Sequence, residues 1–450
     1  MTVRLTPSAL ADAEQLDNLR AVLDLVRSGE AVTRPELSRL SGLGRTVVTQ
    51  RVNQLMSLGL ISDGSLGVST GGRAPRELRF RAEAGYILAV QLGAASMSVG
   101  VTNLSAEPLV LRSEPWNIAN GPEETLQRVE ELFDEVLEGS VPPGTPVWGV
   151  GVGLPGPVEF STGRPIAPPI MPGWDGYPIR ERLSERYRAP VWVDNDVNVL
   201  ALNELRAGAA QGHEDVIYVK IGTGIGAGLV SGSRLHRGSQ GCAGDIGHIA
   251  VVDDPAVVCR CGNIGCLEAV AGGGALSRDG TIAAQAGRSP LLAEVLATGR
   301  PIEASDVVAA AGRGDPVCVE MLTSAGRRVG DALATLVSFF NPSRVIVGGG
   351  VAAAGDSLLA ALKQSVYRRS LPLATRDLVI TRSLIDDGPG GMRGAAFMAI
   401  DGLFSTRYFA SWIAAGSPAH SPDQNGTGTD ADAQAVRASS QRPHRQPVHH

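Results

Sequence analysis

Apolar positions in the first sixty residues follow a helical period. Leu16, Leu19, Leu23 and Val26 recur at steps of three and four, so a helix over 16–27 carries them on one face. Thr33-Arg34-Pro35-Glu36 then reads as a capping box, in which the Thr33 hydroxyl accepts from the Glu36 backbone N–H and Glu36 reaches back. Pro35 suits a first helical turn. The short helix it opens turns Leu37 and Leu40 inward and ends at Ser41-Gly42. A further helix from about Arg45 to Leu58 turns Val48, Val52, Leu55 and Met56 inward and stops at Gly59. Leu60-Ile61 begins a strand, Asp63-Gly64 supplies a turn, and a returning strand follows.

The other face of that last helix is polar. Thr46, Gln50 and Asn53 share it, flanked by Arg45, Thr49 and Arg51. Helix, capped short helix, glycine turn, polar-faced helix and hairpin are the order of a winged helix-turn-helix. Its polar face can read base edges in the major groove while Arg34, Arg45 and Arg51 hold phosphates. A three-helix packing module with a solvated polar face is the other reading of the same pattern.

After Ser-Thr-Gly-Gly-Arg-Ala-Pro-Arg at 69–76, expected as a wing edge and linker, a strand pattern begins near Arg79. Two strands flank Gly93-Ala94. A third strand follows, then a helix at about 122–138 and a strand at Val147–Val152. Strands and helices alternate from there to residue 412, which predicts an α/β body. The expected division is 1–80 for the helix-turn-helix domain and 81–412 for the body. Within the body, one lobe covers about 81–198 plus 388–412 and the other about 199–387. The segment 413–450 is rich in Pro, Ser, Gln, Gly, Asp and His from Gly416 onward. It cannot bury a core and is expected to be disordered.

Composition sharpens this division. The 450 residues exceed what one core supports, and 43% hydrophobic residues mark a globular chain. Residues 1–81 carry eleven arginines against eight acids, a net of +3, which leaves −9 of the total −6 to the remainder. A basic end on an acidic body fits nucleic acid at that end. No run approaches a membrane span and the N-terminus lacks the apolar core of a signal peptide, so a cytoplasmic location is expected.

Four motifs carry chemistry. His248-x10-Cys259-x-Cys261-x4-Cys266 offers one imidazole and three thiolates, a closed tetrahedral set for a structural Zn2+. Ile221 to Gly228, rich in glycine after the apolar strand Val216–Val219, can bring backbone N–H groups and the Thr223 hydroxyl to an anion; a tight hairpin is the alternative. Val193-Asp194-Asn195-Asp196-Val197-Asn198 ends a strand, where a carboxylate could take a hydroxyl proton or an Asx turn could cap the helix from Val199 to Leu205. Val345 to Gly350 runs a buried strand into glycines, which suits a nucleotide or close helix packing.

Together these features resemble the ROK family of repressors, open reading frames and kinases, over about residues 10–410. The CxCGxxGCxE ending of the cysteine loop carries most of the resemblance, and the helix-turn-helix followed by STGGR resembles the repressor branch. The resemblance implies a two-lobed actin/hexokinase-like α/β fold. It assigns sugar contacts to Gly153, Asn195, Asp196, Asp245, His248 and Glu268, with Asp196 as base if catalysis is retained, and a phosphate loop to Gly222, Thr223, Gly224 and Gly226. Three positions depart from the kinase pattern. Gln91 stands where an Asp would help hold Mg2+, Ile170 where an Asn would meet the sugar, and Asp245 where Glu is usual. The implied function is a sugar-responsive repressor, a homodimer or homotetramer that binds operator DNA and senses a sugar or sugar phosphate. The alternative is an ATP- and Mg2+-dependent, glucokinase-like sugar kinase with an appended DNA-binding domain.

Overall fold

The computed structural model describes residues 7–66, 76–142, 144–352 and 356–418. Helices α1 (Pro7–Ser28), α2 (Arg34–Ser41) and α3 (Arg45–Ser57) lead, followed by strands β1 (Ile61–Leu66) and β2 (Arg76–Phe80). Then come β3 (Tyr86–Leu92), β4 (Ser96–Asn103), β5 (Pro108–Pro115), α4 (Pro122–Glu138), β6 (Val147–Leu154), β7 (Val158–Glu159), β8 (Arg164–Pro165), α5 (Ile179–Tyr187), β9 (Val191–Asn195) and α6 (Asp196–Ala207). The second half holds β10 (Val216–Ile221), β11 (Ile225–Ser231), β12 (Arg234–His236), α7 (Leu267–Ala271), α8 (Gly273–Gln285), α9 (Pro290–Ala297), α10 (Ala304–Gly312) and α11 (Pro316–Phe340). It closes with β13 (Arg344–Gly348), α12 (Asp356–Arg369), α13 (Pro372–Thr375), β14 (Val379–Arg382), α14 (Asp387–Leu403) and α15 (Thr406–Ala415).

The capping box forms. Thr33 Oγ1 accepts from the Glu36 N–H at 3.4 Å, and the Glu36 carboxylate accepts from the Thr33 and Val32 N–H groups at 3.0 and 3.1 Å. These bonds hold the Glu36 carboxyl below its usual range. Leu37 is fully buried with Leu19, Leu23, Val26, Val48, Val52 and Leu55, and Met56 packs at the edge of that cluster.

Two expectations fail in this module. Leu40 is 43% exposed rather than inward. Three residues make less than a full turn, so Leu40 lies to one side of Leu37, and an eight-residue helix has a narrow contact line. Asp63-Gly64 is not a turn but lies inside β1. There Asp63 opposes Leu78 and Leu66 opposes Arg76, so three steps on β1 meet two on β2. The extra residue is absorbed as a bulge. Residues 67–75, which hold nearly all of the expected wing edge and linker, lie outside the described residues. Arg76–Phe80 pairs antiparallel with β1, and the first strand of the body sheet starts at Tyr86.

The body contains two five-stranded sheets of one plan, ordered β5-β4-β3-β6-β9 and β12-β11-β10-β13-β14. In each, three strands form an antiparallel meander and two more add in parallel. Helix α6 leaves the first sheet and packs on β10 and β11, and α14 leaves the second and packs back on β3 and β6. The two helices therefore lie against each other between the sheets. Glycine makes this possible: a Cβ on Gly394 would sit 1.9 Å from the Val199 carbonyl oxygen of α6.

Helix α15 extends to Ala415, with Ile413 packed against the core, so ordered structure continues past the expected limit at 412. The tail expected to be disordered lies outside the described residues from 419 on. Phe404, Phe409 and Trp412 belong to one continuous buried cluster with Leu19, Leu23 and Leu78 of the N-terminal module. Arg27 of α1 stacks 5.2 Å from the Phe404 ring centroid, and Arg20 donates to Thr406 Oγ1. Among the described residues, no helix is long and apolar enough to cross a membrane.

Candidate functional site

Between the two sheets lies a cleft lined from one side by Pro155–Pro157, Pro169 and Ile170 and from the other by the β10–β11 turn, Gly241–Asp245, His248 and Glu268. Asn195 and Asp196, at the start of α6, line its floor. Of the two expectations for this segment, the helix-capping Asx turn is observed. Asn195 is the cap: its Oδ1 accepts from the Val197 N–H at 2.9 Å, and its Nδ2 donates to the Gly156 carbonyl at 2.9 Å. The helix consequently begins at Asp196 rather than Val199. Asp194 points away from the cleft, fully buried, and accepts from Arg237 Nε at 2.7 Å and Asn198 Nδ2 at 2.8 Å.

Asp196 has a partner that sequence reasoning missed. Lys220 Nζ donates to Asp196 Oδ2 at 2.6 Å and lies 3.9 Å from Asp387 Oδ2, at the first residue of α14. Burial opposes the Lys220 charge, but the two carboxylates outweigh it and raise its pKa above the ordinary lysine value. Burial pushes the Asp387 carboxyl up, and Lys220 offsets part of that rise. The only sequence sign was a lysine inside the otherwise apolar strand Ile217-Tyr218-Val219-Lys220-Ile221.

Gly222, Thr223 and Gly224 form the β10–β11 hairpin turn and also line the cleft, as does Gly226 in β11. Glu268 Oε2 accepts from the Ile225 N–H at 3.1 Å, which ties α7 to that turn. Gly153 is not in a loop beside the cleft. It sits within β6, where a Cβ would come 2.3 Å from Gln91 Oε1. Gln91 itself is buried, donates through Nε2 to the Leu92 carbonyl at 3.2 Å, and leaves Oε1 without a partner.

His248, Cys259, Cys261 and Cys266 converge so that one ligand atom from each lies within 4.8 Å of the others. Cys259 Sγ lies 3.7 Å from His248 Nδ1, and Cys261 Sγ lies 3.8 Å from Cys266 Sγ. Backbone bonds shape the loop, with Cys259 N–H donating to the Asn263 carbonyl and Gly265 N–H to that of Val257. Gly265 has φ +74°, and a Cβ there would lie 1.9 Å from the Val252 carbonyl oxygen, so only glycine fits. The set can hold a metal ion. It adjoins the cleft, since His248 is one ligand, Asp245 Oδ1 lies 3.9 Å from His248 Nε2, and Glu268 follows the last cysteine by two residues.

At the far end of the molecule, Arg45, Thr46, Thr49, Gln50 and Asn53 are exposed along α3. Arg34 is half-buried. Arg51 turns along its own helix, donating to Gln54 Oε1 at 2.9 Å.

Comparison with known proteins places these features in a family. The ROK family profile matches residues 87–402. A putative xylose repressor from Caldicellulosiruptor sp. is 29% identical over 354 residues, 78% of this chain and 88% of that protein. A glucokinase from Thermotoga maritima is 30% identical over 312 residues, 69% of this chain and 96% of its own length. Among solved structures, a ROK family transcriptional regulator, a homologue of the E. coli MLC protein, superposes with a TM-score of 0.72 at 27% identity, covering 87% of this chain and 98% of that one. A ROK glucokinase from Streptomyces griseus, solved with glucose and AMPPNP, gives 0.60 at 32% identity over 70% of this chain and 99% of its own. With its two-sheet body, interlobe cleft and His/Cys loop, the chain belongs to the ROK family.

Proposed function

We propose that this protein is a sugar-responsive repressor that binds operator DNA through α3 and senses a sugar in the interlobe cleft. The observation that carries this is the single apolar core joining the winged module to α14 and α15, since Asp387, the first residue of α14, lies 3.9 Å from Lys220, which lines the cleft. The xylose repressors and the ROK transcriptional regulator support it, because their matches cover 78% and 87% of this chain, against 69% and 70% for the Thermotoga maritima and Streptomyces griseus glucokinases. The cleft is read as a sensor rather than a kinase. Gln91 cannot supply the charge that would help hold Mg2+ near a transferring phosphate, and the candidate base Asp196 is tied to Lys220.

Four ligand atoms at these separations fit Zn2+. Bonds of roughly 2.3 Å to sulfur and 2.0–2.1 Å to nitrogen at tetrahedral angles give edges close to the observed 3.7 and 3.8 Å. With all four positions filled by protein, the ion serves structure, holding His248, Asp245 and Glu268 at the cleft wall.

The test is DNA selection from a random pool at physiological salt, followed by titration with a sugar panel. Recovery of a palindrome whose half-sites lie roughly one or two helical turns apart, about 34–36 Å per turn, is the expected result for a two-fold dimer. Replacing Thr46, Gln50 and Asn53 together with alanine should weaken that site by about tenfold or more per lost base contact and leave nonspecific binding intact. Selection that returns no preferred sequence sinks the reading.

Helices α6 and α14 supply the coupling. Both start at the cleft, at Asp196 and Asp387, and both end beside the reader. There Asp401 accepts from Arg206 Nη2 of α6 at 2.8 Å and lies 4.0 Å from Arg27 Nη2 of α1. Such half-exposed pairs contribute roughly 1 kcal/mol or less to stability. Asp401→Ala should therefore fold normally and bind sugar with unchanged affinity. Its DNA affinity should respond less to sugar, losing part of a coupling of about 1–3 kcal/mol. Unchanged coupling would remove this pair from the path.

A further inference from the structure

The cleft has two chambers, and of the positions the family resemblance assigns to a sugar only Ile170 also lines the outer one. The inner chamber, over Asn195, Asp196, Asp245, His248 and Glu268, has a volume of about 170 Å3, and the outer has about 690 Å3. Free space therefore continues past the ring-binding residues. The passage between them is framed by Ala94 and Ile170 of one lobe and Thr223 and Arg260 of the other, which line both chambers.

The outer wall is pre-formed. The Trp116 N–H donates to the Ala95 carbonyl at 3.1 Å and the Ile118 N–H to that of Ala94 at 3.2 Å, which staples the segment after β5 to the β3–β4 turn. Trp116 Nε1 donates to Thr125 Oγ1 at 3.0 Å, which fixes the indole while the half-buried ring lines the chamber. Asn117 Oδ1 is occupied by the Ala119 N–H at 3.0 Å, which leaves its Nδ2 to donate. Arg260 has no partner among the described residues and offers its guanidinium from the opposite lobe, between two metal-ligand cysteines.

We propose that the outer chamber is a second sugar subsite and that the effector is a neutral disaccharide or comparable glycoside. One ring would sit over Asp196 and Glu268 and the second against Trp116, within reach of Asn117 and Arg260. This rests on the reading of the inner chamber as the sugar site. The chemistry favours a ring over a phosphate. The wall is an aromatic face with alanine, proline and isoleucine, carrying one cation and no acid, and amphipathic rings match such a surface. A phosphate would find only Arg260 as a counter-charge.

The test is calorimetry of the full-length chain against monosaccharides, their phosphates and neutral disaccharides. A disaccharide should bind at least about tenfold more tightly than either of its component sugars. Trp116→Ala should remove that advantage and leave monosaccharide binding unchanged, and Trp116→Phe should keep most of it. Arg260→Met, on an exposed side chain, should give the same selective loss without disturbing the core. Glu268→Ala should weaken both ligands. Equal affinity for a monosaccharide, tightest binding of a sugar phosphate, or indifference to both Trp116→Ala and Arg260→Met would each overturn the second subsite while leaving the sugar sensor intact. Failure of every sugar to bind would instead overturn the sensor reading itself.

Discussion

On the zinc reading proposed above, Cys266→Ser should leave the chain without metal and abolish sugar binding together. Cys266 is fully buried, and its Sγ lies 3.8 Å from that of Cys261, so serine removes a thiolate from the centre of a closed set. Loss of a structural metal belongs to the few single changes that cost roughly 4 kcal/mol or more, which in a body of this size lowers Tm by about 10 °C. Among the described residues the loop's own regular pairing amounts to two isolated bridges, Ala250 with Cys266 and Val258 with Ile264, and a few backbone bonds. His248 and Glu268 are positioned by it, so the cleft wall should loosen even where the rest of the body stays folded. Elemental analysis, thermal unfolding with and without chelator, and sugar calorimetry check the three parts. A variant that keeps full metal content would show that the four side chains do not form the site.

Lys220→Met should be the most damaging change at the cleft floor. The Lys220 and Asp196 side chains are only 17% and 7% exposed. Breaking a buried pair leaves an uncompensated charge and costs about 3–5 kcal/mol, whereas replacing both partners by apolar groups is often neutral. Here Asp387 adds a second carboxylate to the same ammonium, so its loss sets two acids against each other. Denaturant unfolding of Lys220→Met, Asp196→Asn and the double variant should show the double less destabilised than Lys220→Met, because it orphans one carboxylate, Asp387, in place of two. The sign with pH follows from Asp387. An acid whose folded pKa is raised penalises the fold when ionised, and the penalty disappears as pH falls through that pKa. The deficit of Lys220→Met should therefore shrink toward acid pH. A destabilisation within about 0.5 kcal/mol at neutral pH would mean that water already screens the pair.

The legible parts of the chain were those encoded by neighbours in sequence. Thr33 and Glu36 are three residues apart, so their reciprocal bonds depend only on helix geometry. His248, Cys259, Cys261 and Cys266 were readable because one imidazole and three thiols at this spacing suit a metal whatever the fold. The alternation of strands and helices gave the α/β class for the same reason.

The misreadings share another cause. Asp63-Gly64 has turn chemistry, but pairing with β2 outweighed it and left a bulge. Leu40 has the right spacing, yet nothing packs over that side of α2. Gly153 was placed beside the sugar by motif position, whereas its strand register puts it against Gln91.

What the sequence determined by itself was therefore local: caps, glycine turns, metal-ligand spacing, and the polar face of α3. What only the tertiary structure decided was which distant groups meet. Lys220, Asp196 and Asp387 come from a strand and the starts of two helices far apart in the chain, and no periodicity links them. Trp116 and Arg260 face one chamber only because two sheets of the same plan close around α6 and α14. Spacing along a helix or loop is fixed by backbone geometry, but a cleft is fixed by packing, and packing is a property of the whole chain.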